Sequence, residues 1–295
     1  MNFRHLKIFI TVCEVGNMTR AAKELYMTQP SVSQAIIELE KYYGVRLFER
    51  LNHHLYLTAP GERLLSYAQH ILNLSEQAEK ELAGLGQDGS LRIGSSLTIG
   101  AYLLPGLVAD FHQQNPQVDV FTRVDNTNVI EQLLLEDKLD LGLVEGPTFS
   151  AHIVEEFICP DDLVFIASPQ HPLAKSGKRP AQDLTGQAFI VREAGSGTQN
   201  IFEHAMHAAG VNWKTAGVYN NNQAVKQAVS ANLGLAMVSK IAIAEEVQQG
   251  KIVPLEIEGI SIRRKFNLVY HQQKIFTRAM QLFRDAIKTR LGKAE

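Results

Sequence analysis

The feature that most constrains this chain is a change of periodicity near Ser90. Beyond it, short apolar runs typical of buried strands ("LRIGSS", "VDVFTRVD", "LDLGLVEG") are separated by helical stretches ("YLLPGLVADFHQQNP", "TNVIEQLLLED"). A second set, from "DLVFIASP" to "IVPLEI", repeats the pattern. Because strand–helix alternation is typical of α/β folds, we predict a parallel sheet with helices packed on it.

The order of these elements predicts two Rossmann-like α/β lobes joined by two crossovers. The first lobe is expected over 90–161 and 267–295, where a final helix (277–290) returns to it, and the second over 162–266. A chain of 295 residues is too long for one ordinary core, so two or three domains are expected. We therefore assign 90–295 to one domain and look for others before it.

The first 58 residues predict a mainly α-helical domain with a short hairpin. Helical spacing of apolar residues indicates a first helix from Phe3 to Val15 and a second that Thr19 would cap. Thr28 is the expected N-cap of a third helix, with Pro30 in its first turn, where a missing N–H costs nothing. "GVRLFERLNHHLYLTAPG" (44–61) then predicts a β-hairpin, or wing. Three helices and a wing make a winged helix-turn-helix.

The third helix separates apolar from polar residues. Val32, Ile36, Leu39 and Tyr43 recur at spacings of four, three and four and point inward. Amide and hydroxyl groups at the helix start suit a DNA major groove, because Gln pairs bidentately with adenine and Ser reaches bases or phosphates. The candidate DNA-binding residues are Thr28, Gln29, Pro30, Ser31, Ser33, Gln34, Arg50 and His53. The alternative is a plain capped surface helix.

Residues 59–89 predict a long linker helix followed by a glycine-rich hinge. Thr58 is the expected cap, and apolar or small residues then recur in steps of four and three over three heptads. We interpret this seam as a dimer contact, because the helix joins two domains and has little else to pack on; ordinary core packing is the alternative. The predicted seam residues are Leu64, Ala68, Ile71, Ala78 and Leu82.

The run "AAKELYMTQPSVSQAIIELEKYYGVRLFER", followed by "LTAPG", resembles the DNA-binding domain of LysR-type transcriptional regulators. The rest of the chain resembles their effector domain, which shares its fold with periplasmic solute-binding proteins. The resemblance implies promoter DNA as a partner, a linker helix that pairs two DNA-binding domains, homodimers or homotetramers, and RNA polymerase as a partner of the activators. Gln34 and Ile37 depart from the family, which often carries basic residues there.

Four polar loops follow strands of the two lobes, where α/β sheets bind ligands at helix N-termini. They predict a cleft for a small, anionic effector between the lobes. The candidate effector-binding residues are Ser96, Thr98, Asn126, Thr127, Arg192, Ser196, Gly197, Thr198 and Asn221. Thr98 and Thr127 also match, by the resemblance, polar positions that often touch effectors in the family. Taken alone, "GSGT" (195–198) is more often a turn and helix cap.

Composition and motifs argue against other classes of protein. The 29 basic and 31 acidic residues do not indicate a general polyanion trap, and the two cysteines lack partner spacing. We find no catalytic constellation, nucleotide P-loop, paired metal spacing or cofactor motif. With neither a signal peptide nor a membrane span in the sequence, a cytoplasmic regulator is expected, and a solute-binding transport component ranks far below it.

Overall fold

The computed structural model describes residues 1–51, 54–82, 89–175 and 177–291. They divide into two compact units, 1–88 with 135–138, and 89–134 with 139–295. The helices are α1 (Phe3–Val15), α2 (Met18–Glu24), α3 (Gln29–Tyr43), α4 (Ala59–Leu82), α5 (Leu97–Tyr102), α6 (Leu104–Gln114), α7 (Thr127–Leu135), α8 (Gly197–Ala208), α9 (Asn222–Ser230), α10 (Ala244–Gln248) and α11 (Arg278–Leu291).

The strands of the first unit form a two-stranded antiparallel hairpin, β1 (Phe48–Leu51) with β2 (His54–Leu57). Those of the second unit are β3 (Ser90–Ser95), β4 (Asp119–Val124), β5 (Leu141–Val144), β6 (Ile153–Ala167), β7 (Arg179–Pro180), β8 (Ala188–Arg192), β9 (Lys214–Tyr219), β10 (Ala236–Ser239), β11 (Val253–Leu255), β12 (Ile257–Glu258) and β13 (Ile262–His271).

The first unit is the predicted winged helix-turn-helix. The Thr28 side chain accepts from the Ser31 backbone N–H, as the cap prediction required. The prediction for α2 was wrong: Asn17 is the N-cap, and its side chain accepts from the backbone N–H groups of Thr19 and Arg20. Because α2 begins one residue before Thr19, that threonine already lies inside the helix. The core holds Leu6, Phe9, Val12, Ala21, Ala22, Val32, Ile36, Leu39 and Leu47.

The linker helix α4 begins as predicted, with Thr58 Oγ1 accepting from the Gly61 N–H at 3.1 Å. Its predicted dimer seam needs correction at two positions. Leu64 and Ala68 are buried in the core of the first unit, where α4 packs on α1. They are therefore unavailable to a second copy of the chain. Ile71 and Ala78 are exposed, and the side chain of Leu82 lies outside the described residues.

The main sheet of the second unit has the strand order β10-β6-β13-β5-β3-β4, with β11 also paired to β6. It is mixed, so the prediction of a parallel sheet was wrong in part. Strands β3, β4 and β5 are parallel, but β6 and β13 are long antiparallel strands. These two strands are the crossovers between the lobes: β6 leads from the first lobe to the second, and β13 leads back. Because they run in opposite directions and pair side by side, this part of the sheet is antiparallel.

Separate hydrophobic clusters mark the two lobes. One gathers β3, α6, α11 and the β6–β13 pair around Phe111 and Phe283. Another gathers β8, α8 and the far end of β6 around Phe189 and Phe202. The helix predicted over 102–116 is α6, and the short helix α5 in front of it was not predicted. Pro105 lies in the first turn of α6, where its missing N–H costs nothing.

Candidate functional site

The outer face of α3 carries the predicted DNA-binding side chains. Gln29, Pro30 and Gln34 are exposed, and Ser33 is half-buried. Thr28 and Ser31 are also exposed, and their hydroxyl oxygens lie 2.8 Å apart, so both take part in the cap. The Gln34 amide donates to Glu38 Oε1 at 3.0 Å. The side chain of Arg50, in β1, and the whole of His53 lie outside the described residues.

Arg264 is the centre of a buried polar cluster between the lobes of the second unit. Its Nε donates to Asp161 Oδ2 at 2.7 Å, and one Nη donates to Thr198 Oγ1 at 2.8 Å. The other Nη lies 3.4 Å from Thr98 Oγ1 and 3.5 Å from Glu145 Oε2. Thr98 belongs to the first lobe and Thr198 to the second, so one guanidinium group bridges both.

Charge in this cluster is unbalanced, because Asp161 and Glu145 face a single cation. Burial raises the pKa of Asp161 above its ordinary value, although Arg264 and a hydrogen bond from Ser239 oppose the rise. The Glu145 Oε2 atom is buried and forms an ion pair with Arg264 at 3.5 Å, but it accepts no hydrogen bond from the residues that the structure describes. Since buried polar groups are nearly always satisfied, this oxygen has capacity for a donor from a bound molecule.

Three buried hydroxyls of the first lobe are also unsatisfied: those of Ser95, Ser96 and Thr127 make no hydrogen bond to any of the described residues. Ser96 precedes α5, and Thr127 begins α7. The Ser95 hydroxyl lies against Gly100 of α5, since a Cβ added to that glycine would lie only 2.7 Å from Ser95 Oγ. Ser95 therefore points beneath α5. Ser96 and Thr127 therefore lie at the starts of helices with hydroxyl groups that have no hydrogen-bond partner among the described residues, and Asn126 next to Thr127 is half-buried.

Arg192, predicted to offer its charge to an effector, is already paired. It donates twice to Glu193, at 2.8 and 3.0 Å, and once to Asn222 Oδ1 at 3.1 Å. Asn221, also predicted to bind the effector, is exposed and caps α9 by accepting from the Ala224 N–H. The adjacent Asn222 is buried and donates to Thr98 Oγ1 at 3.3 Å, so Asn222 is the asparagine that connects the two lobes.

The lobes touch at two glycines. A Cβ built on Gly197 would lie 2.8 Å from the Cα of Gly146, and one built on Gly146 would lie 2.6 Å from the Cα of Gly197. Only residues without side chains allow so close an approach of two backbones. The start of α8, which contains Ser196, Gly197 and Thr198, therefore rests directly on the end of the first-lobe strand β5, beside Glu145.

Sequence reasoning missed Arg264, Asp161, Glu145 and Asn222. A signal for Arg264 existed: in "SIRRKFNL" it alternates with Ile262 and Phe266, and the face that they share is the inward one. Asp161 alternates in the same way with Cys159 and Leu163. A charged residue in phase with core residues on a strand predicts a buried ion pair, because an unpaired charge there is too costly.

Nothing described here indicates catalysis or metal binding. Burial raises the pKa of the Cys13 thiol to about 12 and also raises that of Cys159, so neither is a ready nucleophile. Within the described ranges, no group of three or more His, Cys, Asp or Glu side chains is placed to hold a metal ion. None of the described helices is long and apolar enough to span a bilayer.

Comparison with known proteins gives two family matches. Residues 3–62 match the model of the bacterial regulatory helix-turn-helix protein, lysR family, and residues 85–292 match the LysR substrate binding domain. The HTH-type transcriptional regulator CysL of Bacillus subtilis is 32% identical over 291 residues, which cover 98% of this chain and 97% of that protein.

Two solved structures are also similar. A full-length single-substitution variant of OxyR from Pseudomonas aeruginosa has a TM-score of 0.72 at 21% identity and covers 98% of this chain and 95% of its own. The CcmR regulatory domain of Synechocystis PCC6803, in complex with 2-PG, has a TM-score of 0.66 at 27% identity and covers 70% of this chain and 98% of its own. The chain belongs to the LysR family of DNA-binding transcriptional regulators and is not an enzyme.

Proposed function

We propose that the outer face of α3 reads bases in the major groove of promoter DNA. The observation that carries this is the division of α3: Val32, Ile36 and Leu39 are buried in the first unit, while Gln29 and Gln34 project outward near the helix start. Helix-turn-helix proteins place these positions at base edges. As a DNA-binding regulator it would act in the cytoplasm.

Gln29→Ala and Gln34→Ala are each expected to weaken binding to a selected duplex by about 1–3 kcal/mol, because a bidentate amide–adenine contact is lost. Gln113→Ala, at an exposed position on α6, is the matched control and is expected to change nothing. The measurement is fluorescence anisotropy with the duplex and with base-substituted versions of it. Unchanged base preference in both α3 variants would contradict the assignment.

For the second unit we propose a small anionic effector bound between the lobes. The unsatisfied hydroxyls of Ser96 and Thr127 and the start of α8 are hydrogen-bond donors that an anion accepts. Arg264 supplies the cationic group that touches both lobes. The similar CcmR domain, in complex with 2-PG, supports the same class of ligand.

The acidic groups of the cluster refine this proposal. With Asp161 and Glu145 around one Arg264, a bare anion would enter a site that already has an excess of negative charge. An effector that also carries a hydroxyl or protonated group would satisfy Glu145 Oε2, which has room for a donor. We therefore place the effector among small acids that bear at least one hydrogen-bond donor.

Effector binding can regulate the protein only if one arrangement of the lobes binds the effector better than the other. The difference between the two arrangements depends on the Thr98 hydroxyl, because it accepts hydrogen bonds from both Arg264 and Asn222 across the cleft. Closing or opening the lobes would change these contacts together. Through α4 the change would alter how the winged helices of an oligomer are presented to DNA.

Thr98→Val is expected to weaken effector binding at least tenfold, because the isosteric methyl group removes a hydrogen bond in a buried polar site. The measurement is titration calorimetry with hydroxy acids first identified by thermal shift. Thr148→Val, whose hydroxyl donates to Glu155 instead of to the cluster, is the control. Operator binding without effector should stay unchanged. Equal effector affinity in wild type and Thr98→Val would place the site elsewhere.

A further inference from the structure

An apolar side chain lies in the middle of the polar outer face of α3. Ile37 is 53% exposed, whereas Val32, Ile36 and Leu39 on the same helix are buried. A single exposed apolar residue is ordinary at a protein surface and carries no meaning by itself. What matters here is the position of Ile37 on the helix.

Ile37 lies on one stripe of α3 with residues already proposed to face DNA. Pro30, Gln34, Ile37 and Lys41 follow at spacings of four, three and four, and all four are exposed. At 1.5 Å per residue, Ile37 lies roughly 10 Å along the helix axis from Pro30, which is about three base-pair steps of 3.4 Å. If Pro30 and Gln34 enter the groove, Ile37 faces base edges further along it.

The neighbouring groups leave Ile37 free to make an apolar contact. Gln34 is turned toward Glu38, to which it donates, and Glu38 also lies 3.3 Å from His5 Nε2. Lys41, one turn beyond Ile37, is a cation at the far end of the stripe, where a phosphate would be a suitable partner. Ile37 itself has neither a donor nor an acceptor, so it makes no hydrogen-bonded base contact.

Only one group in the major groove offers an apolar partner to such a side chain, the C5-methyl group of thymine; the other bases present hydrogen-bonding atoms there. We infer that Ile37 contacts a thymine methyl group and so selects A·T over G·C at one position of the operator. The inference rests on the proposed placement of α3 in the groove, and it adds a determinant of sequence preference independent of the two glutamines.

The test begins with duplexes selected from a random pool by the full-length protein. In the best selected duplex, each thymine is replaced singly by deoxyuridine, which removes only the methyl group. At one thymine, outside the base pair that Gln34 contacts, the replacement is expected to lower the affinity of wild type about fourfold. This is the effect of one buried methyl group. Ile37→Ala, which suits an exposed helical position, should lose nothing at that thymine. Val45→Ala, another exposed β-branched residue just after α3, should behave as wild type.

The outcomes separate this inference from the proposal on which it rests. If the selection yields a site but every thymine methyl group has the same effect in wild type and in Ile37→Ala, Ile37 does not read thymine, and the groove placement of α3 stands. If no site is enriched, the placement of α3 fails and the Ile37 contact fails with it. A fourfold methyl effect that disappears only in Ile37→Ala supports the assignment.

Discussion

Arg264→Met is expected to destabilise the second unit by about 3–5 kcal/mol, because removing one partner of a buried ion pair leaves an uncompensated charge. Only 2% of the Arg264 side chain is exposed, and its partners Asp161 and Glu145 are almost equally buried. Methionine fills much of the space of the arginine side chain but carries no charge. The carboxylates of Asp161 and Glu145 would therefore remain without their cation. Urea unfolding followed by the fluorescence of Trp213 reports on this unit, since Trp213 is the chain's one tryptophan and packs on Phe202 there.

The neighbouring residue provides a matched control for this variant. Arg263, also on β13, donates from Nε to Asp162 Oδ1 at 2.9 Å, but 69% of its side chain is exposed. Exposed ion pairs contribute at most about 1 kcal/mol, so Arg263→Met should change stability little. The two substitutions differ chiefly in burial. Equal losses in both variants would contradict the argument that desolvated carboxylates set the cost.

The pH dependence of the Arg264→Met deficit has a definite sign. Burial already raises the pKa of Asp161, and Arg264 is the largest opposing influence, so the pKa should rise further without it. A carboxyl group whose pKa is higher in the folded than in the unfolded protein stabilises the fold at low pH and loses that contribution as pH rises through the folded pKa. The deficit should therefore be smaller at about pH 5 than at about pH 7. Asp161→Asn in the same background should recover part of it.

The residues around Arg264 show what sequence reasoning could reach and what it could not. Polar loops after strands are local features, so Ser96, Thr127 and Thr198 could be proposed directly from the printed sequence. The partners of Arg264 come from β6, α5, α8 and the residue that follows β5, which are far apart in the chain. Pairing of this kind depends on strand order and register, and the antiparallel placement of β6 beside β13 was not predicted.

Errors in locating the starts of helices had a different origin from the missed partners of Arg264. Asn221 and Asn222 are chemically identical neighbours, and the exact start of α9 decides which one caps the helix and which one is buried. The same holds for Asn17 and Thr19 at the start of α2. Sequence patterns locate a helix terminus only to within a residue or two. The identity of a site residue at such a terminus is therefore the hardest part of a site to predict.

The linker helix shows a third kind of limit: periodicity reveals which face of a helix is apolar but not what covers it. Leu64 and Ala68 fit a heptad seam and are covered by α1 within the monomer. A second apolar stripe on α4 stays exposed, made of Tyr67, Ile71, Leu74 and Ala78 at spacings of four, three and four. That spacing is typical of a two-helix seam. We propose that this stripe, which keeps Ile71 and Ala78 of the predicted seam and replaces Leu64 and Ala68, pairs two copies of the chain.

Ile71→Asp is expected to convert the proposed dimer to monomer. The substitution places one carboxylate from each copy at the centre of an apolar contact, and burying each costs on the order of 2 kcal/mol or more. Over two copies, the dissociation constant of the dimer should rise roughly 10³-fold. Ile71 is 38% exposed in the single chain, so the monomer itself should stay folded, which unfolding by urea can check.

The measurement is the mass from size-exclusion chromatography with light scattering at micromolar protein. Glu76→Lys is the control: it changes the charge of the same helix by two units at an exposed position off the stripe, and it should leave the dimer intact. The Ile71→Asp protein should also bind a two-fold symmetric duplex more weakly than wild type does. The reason is that a monomer places only one winged helix on the DNA. A dimer mass that is the same in wild type and Ile71→Asp would show that α4 does not pair the chains through this stripe.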